Sequence, residues 1–292
     1  MVVERNSKSG KSATDLSVGF PFRGIFKCRL KRKKMNLMMY KNAFSFKEKV
    51  ILITGGGGDI GEEFARAFTE CGGETVIADV SLERAQKVSN EMINYGGISF
   101  PIQVDVTNIE SIKVMVKKVM EKFGKIDVLL NHAGINIRKP AIEFTEEDWA
   151  KVINVNMKGE FFVAQEVGKY MIKEKKGKII NTASVSAVKG HPNLAIYAAS
   201  KGGIVQFTKV LANEWAKFNI NVNAIGPGYL LTGQTRSLLD DKEKYHSVLN
   251  KIPMGRLGVP ADIAGAALFL ASELSDYITG QTIFIEGGRL ID

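Results

Sequence analysis

The sequence predicts an α/β fold, a single doubly wound domain in which helices cover both faces of a parallel sheet. Three observations lead there. From residue 45 onward, short β-branched runs alternate with helical stretches. The first run opens directly into a glycine-rich turn and a helix. No internal repeat or low-complexity linker interrupts the chain beyond that point, so 45–292 reads as one domain.

Each element has its own signal. "VILIT" (50–54) is a short β-branched strand, and "EEFARAFTECG" (62–72) has helical spacing and stops at Gly72. "TVIAD" (75–79) is strand-like. In "TNIESIKVMVKKVMEKFG" (107–124), Thr107 stands three before Glu110, a capping-box signature, and Gly124 closes the helix. "IDVLLN" (126–131), "GKIINTA" (177–183), "NINVNAI" (219–225) and "QTIFIEGG" (281–288) read as further strands.

The chain's formal charge of +9 invites a nucleic-acid reading, but its location argues against one. Residues 1–44 hold eleven Lys/Arg and two Asp/Glu, and the remainder holds twenty-nine of each sign. The basic character belongs to this leader, which contains "CRLKRKK" (28–34). Three readings stand for it: a biological start at Met35, Met38 or Met39, a disordered native tail, or an organelle targeting peptide. Mass spectrometry of the protein from its native cell decides among them. No apolar run approaches the roughly eighteen residues of a membrane span. Cys28 and Cys71 make neither a disulfide framework nor a metal-ligand spacing, which points to a reducing cytoplasm and no metal.

Ligands of such a sheet bind beyond the carboxyl ends of its strands. After "VILIT" comes "GGGGDIG" (55–61). Glycines there let the backbone approach a pyrophosphate, which a helix N-terminus favours. This is the pattern of a Rossmann-type dinucleotide site, with Gly55, Asp59, Ile60 and Gly61 at the turn. Asp79 ends the second strand, where a carboxylate accepts from ribose hydroxyls and repels a 2′-phosphate. Arg84 sits a turn into the next helix, so NAD is expected over NADP. Asp105 and Val106 come after the third strand on the adenine side. Asn131 braces the central strands, and Ala133 and Gly134 leave room for the nicotinamide half.

"YAASK" (197–201) sets Tyr197 and Lys201 four apart, on one helical face. Asp and Glu are absent between Ser184 and Tyr197. An ammonium beside a phenol favours the phenolate, and such a Tyr exchanges protons with an alcohol or carbonyl. Ser184 comes after the fifth strand at the same rim, within reach of the substrate oxygen. Ser186 is a second candidate for that role, which the spacing disfavours.

From about residue 46 to 288 the chain resembles the short-chain dehydrogenase/reductase family. The resemblance is carried by "TGGGGDIG" (54–61), Asp79, "NHAG" (131–134), "NVNMKG" (154–159), Ser184, "YAASK", "GPGYLLT" (226–232) and "EGG" (286–288). It implies Asn156 as a fourth catalytic residue that holds a water between Lys201 and solvent. It also implies that Ser184 polarises the substrate oxygen, Tyr197 is the acid/base, and Lys201 holds the nicotinamide ribose. Pro227, Gly228 and Thr232 would touch the nicotinamide amide. Two positions depart from the pattern. Asp59 stands where a small residue is usual and is expected to cap its helix, and His132 replaces the more common Asn.

Specificity belongs to three loops, 135–141, 188–196 and 229–253, the last a candidate lid. Arg138, with Lys139 beside it, is placed to meet a substrate carboxylate. His191 and Gln234 are candidates for hydroxyl contacts. "INIRKPAIEFTEEDW", "GPGYLLTGQT" and "IPMGRLG" resemble the gluconate 5-dehydrogenase and 2-deoxygluconate dehydrogenase branch, which implies a sugar acid or polyol. Two rivals are a 3-oxoacyl-carrier-protein reductase and a non-catalytic dinucleotide-sensing protein. The resemblance also implies a homotetramer or homodimer, for which the small residues Ala198, Ala199, Gly202 and Gly203 allow close packing.

Overall fold

In the computed structural model, residues 42–233, 235 and 241–291 are described. Most of the leader and Gln234 lie outside them. Seven parallel strands form one sheet in the order β3-β2-β1-β4-β5-β6-β7. They are β1 (Val50–Thr54), β2 (Glu74–Asp79), β3 (Ser99–Gln103), β4 (Val128–Asn131), β5 (Gly177–Thr182), β6 (Ile220–Pro227) and β7 (Thr282–Ile285). The α-helices among the described residues are α1 (Asp59–Glu70), α2 (Leu82–Asn94), α3 (Ile109–Phe123), α4 (Glu146–Ile153), α5 (Glu160–Glu174), α6 (Ala195–Trp215), α7 (Lys242–Leu249) and α8 (Pro260–Ala271).

Alternation along β1 explains the two layers. Val50 and Leu52 pack with Met115 and Val119 of α3 and Val163, Val167 and Met171 of α5. Ile51 and Ile53 pack on the opposite face with Phe64 and Phe68 of α1, Met92 of α2 and Leu270 of α8. Both faces are thereby buried, which is why the strand reads as an unbroken apolar run rather than an alternating one. At roughly 1.5–3 kcal/mol for each large apolar side chain removed from water, these two layers supply the main drive to fold.

The chain winds outward from β1 to β2 and β3, and then returns to β4 on the other side of β1. A crevice opens at that reversal, at the carboxyl ends of the strands. There the apolar core gives way to a buried polar row in register: Thr54 opposite Asn131, and Asn131 opposite Asn181. Thr54 Oγ1 donates to Asn131 Oδ1 (3.3 Å), Asn131 Nδ2 to Asn181 Oδ1 (3.1 Å), and Asn181 Nδ2 to Thr208 Oγ1 (3.0 Å). Buried polar groups satisfied in this way fix the relative height of three strands.

Local signals fared unevenly. Gly124 ends α3 in the left-handed conformation (φ 72°), as glycine permits. The α3 cap is Asn108 rather than Thr107: Asn108 Oδ1 accepts from the N–H groups of Glu110 and Ser111. Thr107 instead donates to Asp105 Oδ1 through both its backbone and its hydroxyl. Asp59 does not cap α1 either. Gly58 occupies the cap position, Asp59 is the first helical residue, and its carboxylate accepts from Gly233 N.

Candidate active site

A cleft of about 1010 Å³ runs along the carboxyl ends of β1, β4, β5 and β6. Its cofactor end is built by the turn after β1. Gly58 offers no side chain to cap α1, so the leading N–H groups of the helix receive no side-chain acceptor from the cap residue. The donors, the positive helix end and a lining of Gly55, Gly57, Gly58, Asp59 and Ile60 fit a pyrophosphate. Gly61 does not line the cleft. It is required because a Cβ there would fall on Gly55 O and lie 2.6 Å from Gly56 Cα.

Asp79 is 5% exposed, and three donors fill three of the roughly four acceptor sites of its carboxylate. Its carboxylate accepts from Gly57 N (3.1 Å), Ser81 N (3.0 Å) and the Arg84 guanidinium (2.8 Å). Arg84 thus reaches back one helical turn to the ribose end of the cleft, which it also lines. The sequence spacing left it out of that site.

The remaining cofactor candidates separate. Gly134, Pro227, Gly228 and Thr232 line the cleft. Asp105, Val106, Asn131 and Ala133 are not on its wall. Asp105 is exposed in its own turn, Val106 packs over Gly159, and Asn131 belongs to the polar row. Ala133 N joins His132 N in donating to Thr54 Oγ1.

At the other end, Ser184, Tyr197 and Lys201 share the cleft wall. Ser184 ends the run out of β5, and its hydroxyl oxygen accepts from Ser186 N (3.1 Å), leaving its proton to donate. Tyr197 and Lys201 stand on one face of α6, with the ammonium 5.9 Å from the phenol ring centre. A Cβ added to Gly134 would sit 3.7 Å from Lys201 Nζ, so the loop after β4 passes directly over the amine.

Asn156 sits in a widened π turn, Asn154–Gly159, between α4 and α5. Its Oδ1 accepts from Ile135 N (2.8 Å), and its Nδ2 donates to Ile135 O (2.9 Å) and Ser200 Oγ (3.2 Å). Both ends of the side chain are committed to protein. It clamps the loop after β4 to α6.

Glu160 was missed by sequence reasoning. It heads α5, is 1% exposed, and its Oε1 lies 3.1 Å from Lys201 Nζ. Burial pushes its carboxyl up to about 7, against the pull of Lys201. The available signal was an acid opening the otherwise apolar "EFFVAQ". His132, stacked edge-on against Phe64, is held down to about 3 by burial and the same ammonium.

The substrate loops are also resolved by contacts. Lys139 pairs with Asp148 at 2.5 Å and does not line the cleft. Arg138 lines the cleft and has no ion pair among the described residues. His191 is occupied on both nitrogens: Arg289, which can only donate, is 3.0 Å from Nε2, and Ser186 Oγ is 3.0 Å from Nδ1. Nδ1 therefore carries the proton and donates to Ser186, whose own hydroxyl proton is free for the cleft. Burial, and next the Arg289 charge, lower the His191 pKa and keep it neutral.

Comparison with known proteins agrees with this geometry. Residues 57–289 match the model of a family described as enoyl-(acyl carrier protein) reductase. The 2-dehydro-3-deoxy-D-gluconate 5-dehydrogenase of Dickeya dadantii is 41% identical over 86% of this chain and 99% of its own. The 3-oxoacyl-(acyl-carrier-protein) reductase of Thermotoga maritima is 42% identical over 83% and 98%. A gluconate 5-dehydrogenase from Burkholderia cenocepacia, solved with NADP and tartrate, superposes with a TM-score of 0.83 at 36% identity, covering 86% and 98%. A nicotinamide-dinucleotide cleft at the sheet's reversal, with a Ser, a Tyr and a Lys on its far wall, thus meets relatives that match nearly end to end, and the chain belongs to the short-chain dehydrogenase/reductase family.

Proposed function

We propose that the protein interconverts a secondary alcohol and a ketone on a sugar acid, in the manner of a gluconate 5-dehydrogenase. One observation carries this reading: Arg138 and the free hydroxyl of Ser186 line the same cleft as Ser184, Tyr197 and Lys201. That combines a cation for a carboxylate, a donor for a hydroxyl and a proton carrier for the reacting carbon. A bound nicotinamide supplies the hydride acceptor. Ser184 donates to the substrate oxygen, Tyr197 takes the hydroxyl proton on oxidation, and Lys201 keeps positive charge beside the phenol. The test is a screen of NAD reduction across sugar acids, polyols, steroids and acyl alcohols. The highest kcat/KM is expected with a sugar acid, and a clear preference for 3-hydroxyacyl thioesters would replace this reading with the carrier-protein reductase.

Arg138→Ala is expected to raise KM for a sugar acid about tenfold and for a neutral polyol less than about twofold. Equal effects on the two substrates would remove Arg138 from carboxylate recognition.

NAD is the favoured cofactor in this reading, because a buried carboxylate at Asp79 opposes a 2′-phosphate. Arg84, 55% exposed on its side chain, gives NADP a foothold. Asp79→Ala is expected to lower the NAD-to-NADP ratio of kcat/KM about 10- to 100-fold, the equivalent of one charged hydrogen bond. An unchanged ratio would count against the ribose contact. A homotetramer completes the proposal, and a monomeric mass in light scattering would contradict it.

A further inference from the structure

The buried carboxylate behind the catalytic lysine has no part in the mechanism above. Glu160 reaches it from α5, a helix that lines none of the cleft. Lys201 Nζ donates to Glu160 Oε1 at 3.1 Å and to Thr182 O at 2.5 Å. Thr182 N in turn lies 3.4 Å from Glu160 Oε2. Lysine and glutamate are 3% and 1% exposed. An ammonium has three N–H donors. Two are consumed here, which leaves one for the cleft.

We propose that Glu160 is a positioning residue for the reaction: it tethers the Lys201 ammonium at the back of the cleft, and its negative charge moderates the positive charge that Tyr197 feels. The proposal rests on the reading of Tyr197 and Lys201 as the proton carrier and its partner. With Glu160 ionised, the carboxylate–ammonium pair is nearly neutral, and the phenol meets a dipole. With the carboxylate neutralised, the phenol meets a full cation. In a site this dry the difference is not screened away.

The charges around Glu160 are few. From α6 come Lys201 and Tyr197. From the end of β4 comes His132, whose Nδ1 is 3.1 Å from Thr182 Oγ1 and which stays neutral at working pH. β5 presents Thr182, through its backbone. α3 brings Lys113 to face Glu166, nearly two turns further along α5. Among the described residues, Lys201 is therefore the charge in direct contact with Glu160.

The experiment is the pH dependence of kcat for alcohol oxidation in the full-length protein. Glu160→Gln keeps an oxygen for the lysine to donate to and removes the charge. Its acid limb is expected to move to lower pH by about one unit, while KM for NAD changes less than about threefold. An unmoved limb in a folded variant overturns the proposal and reduces Glu160 to a structural role. Should Glu160→Gln fail to fold, the coupling is read in the wild-type protein by NMR of 13Cδ-labelled glutamate. Coupling between two titrating sites is reciprocal. One glutamate resonance is therefore expected to carry a component at the pH of the activity limb, and Tyr197→Phe to remove that component while the carboxyl's own titration remains. No such component in the wild type overturns the proposal. Full activity in Tyr197→Phe would instead sink the reading of the site on which it rests.

Discussion

Tyr197→Phe is expected to lower kcat about a thousandfold and to leave the dissociation constant for NAD within about a factor of two. The substitution removes one oxygen. Its ring stays on α6, one turn from Lys201, and Ser184 still presents its hydroxyl to the substrate oxygen. What is lost is the group that carries the proton, and general acid–base catalysis of this kind contributes about 10² to 10⁴ in rate. A thousandfold corresponds to about 4 kcal/mol of transition-state stabilisation. In the proposed reading the cofactor is held mainly at the other end of the cleft, by the turn after β1 and Asp79, so fluorescence titration with NAD separates the two effects. Wild-type turnover in the variant would refute the assignment.

Gly61→Ala is expected to destabilise the fold by about 3 kcal/mol and to abolish cofactor binding in whatever protein still folds. The reason is steric and local. Its Cβ would collide with backbone at Gly55 and Gly56, and backbone in a tight turn cannot step aside as a side chain can. Relieving the clash means opening the turn that presents the helix N-terminus. Gly58→Ala is the control. There the nearest atom is Gly55 O at 3.6 Å, and the backbone is extended (φ −98°, ψ 166°), so a methyl fits. Its stability is expected within about 0.5 kcal/mol of wild type by thermal unfolding. A tolerated Gly61→Ala would show that the turn is looser than its geometry implies.

The sequence singled out Gly61 in "GGGGDIG" as a cofactor-site residue, but gave no steric reason to separate it from Gly58. Only the packing of α1 against its own turn separates the glycine that must be one from the glycine that need not be.

Strands and helices were legible because they obey short-range rules. The apolar runs of β1, β2, β4, β5 and β6 stand out because helices cover both faces, and Gly124 marks the end of α3 because few other residues accept a left-handed φ. β3 was not delimited. It is an edge strand, and its "SFPIQ" tolerates a proline that would be excluded from the centre of the sheet. The Tyr–Lys pair was visible because both members sit on one helix, where a spacing of four fixes their neighbourhood.

Contacts between elements distant in the chain were not legible. Arg84 turning back to Asp79, Asn156 clamping Ile135, the line from Ser186 through His191 to Arg289, and Glu160 behind Lys201 all depend on where separate elements come to rest. By itself, then, the sequence determined the layered fold, the dinucleotide turn and the Ser, Tyr and Lys of the cleft, because these arise from periodicity and local backbone sterics. The tertiary structure alone decided which charges face one another, because a buried carboxylate acquires its meaning from an ammonium forty-one residues away.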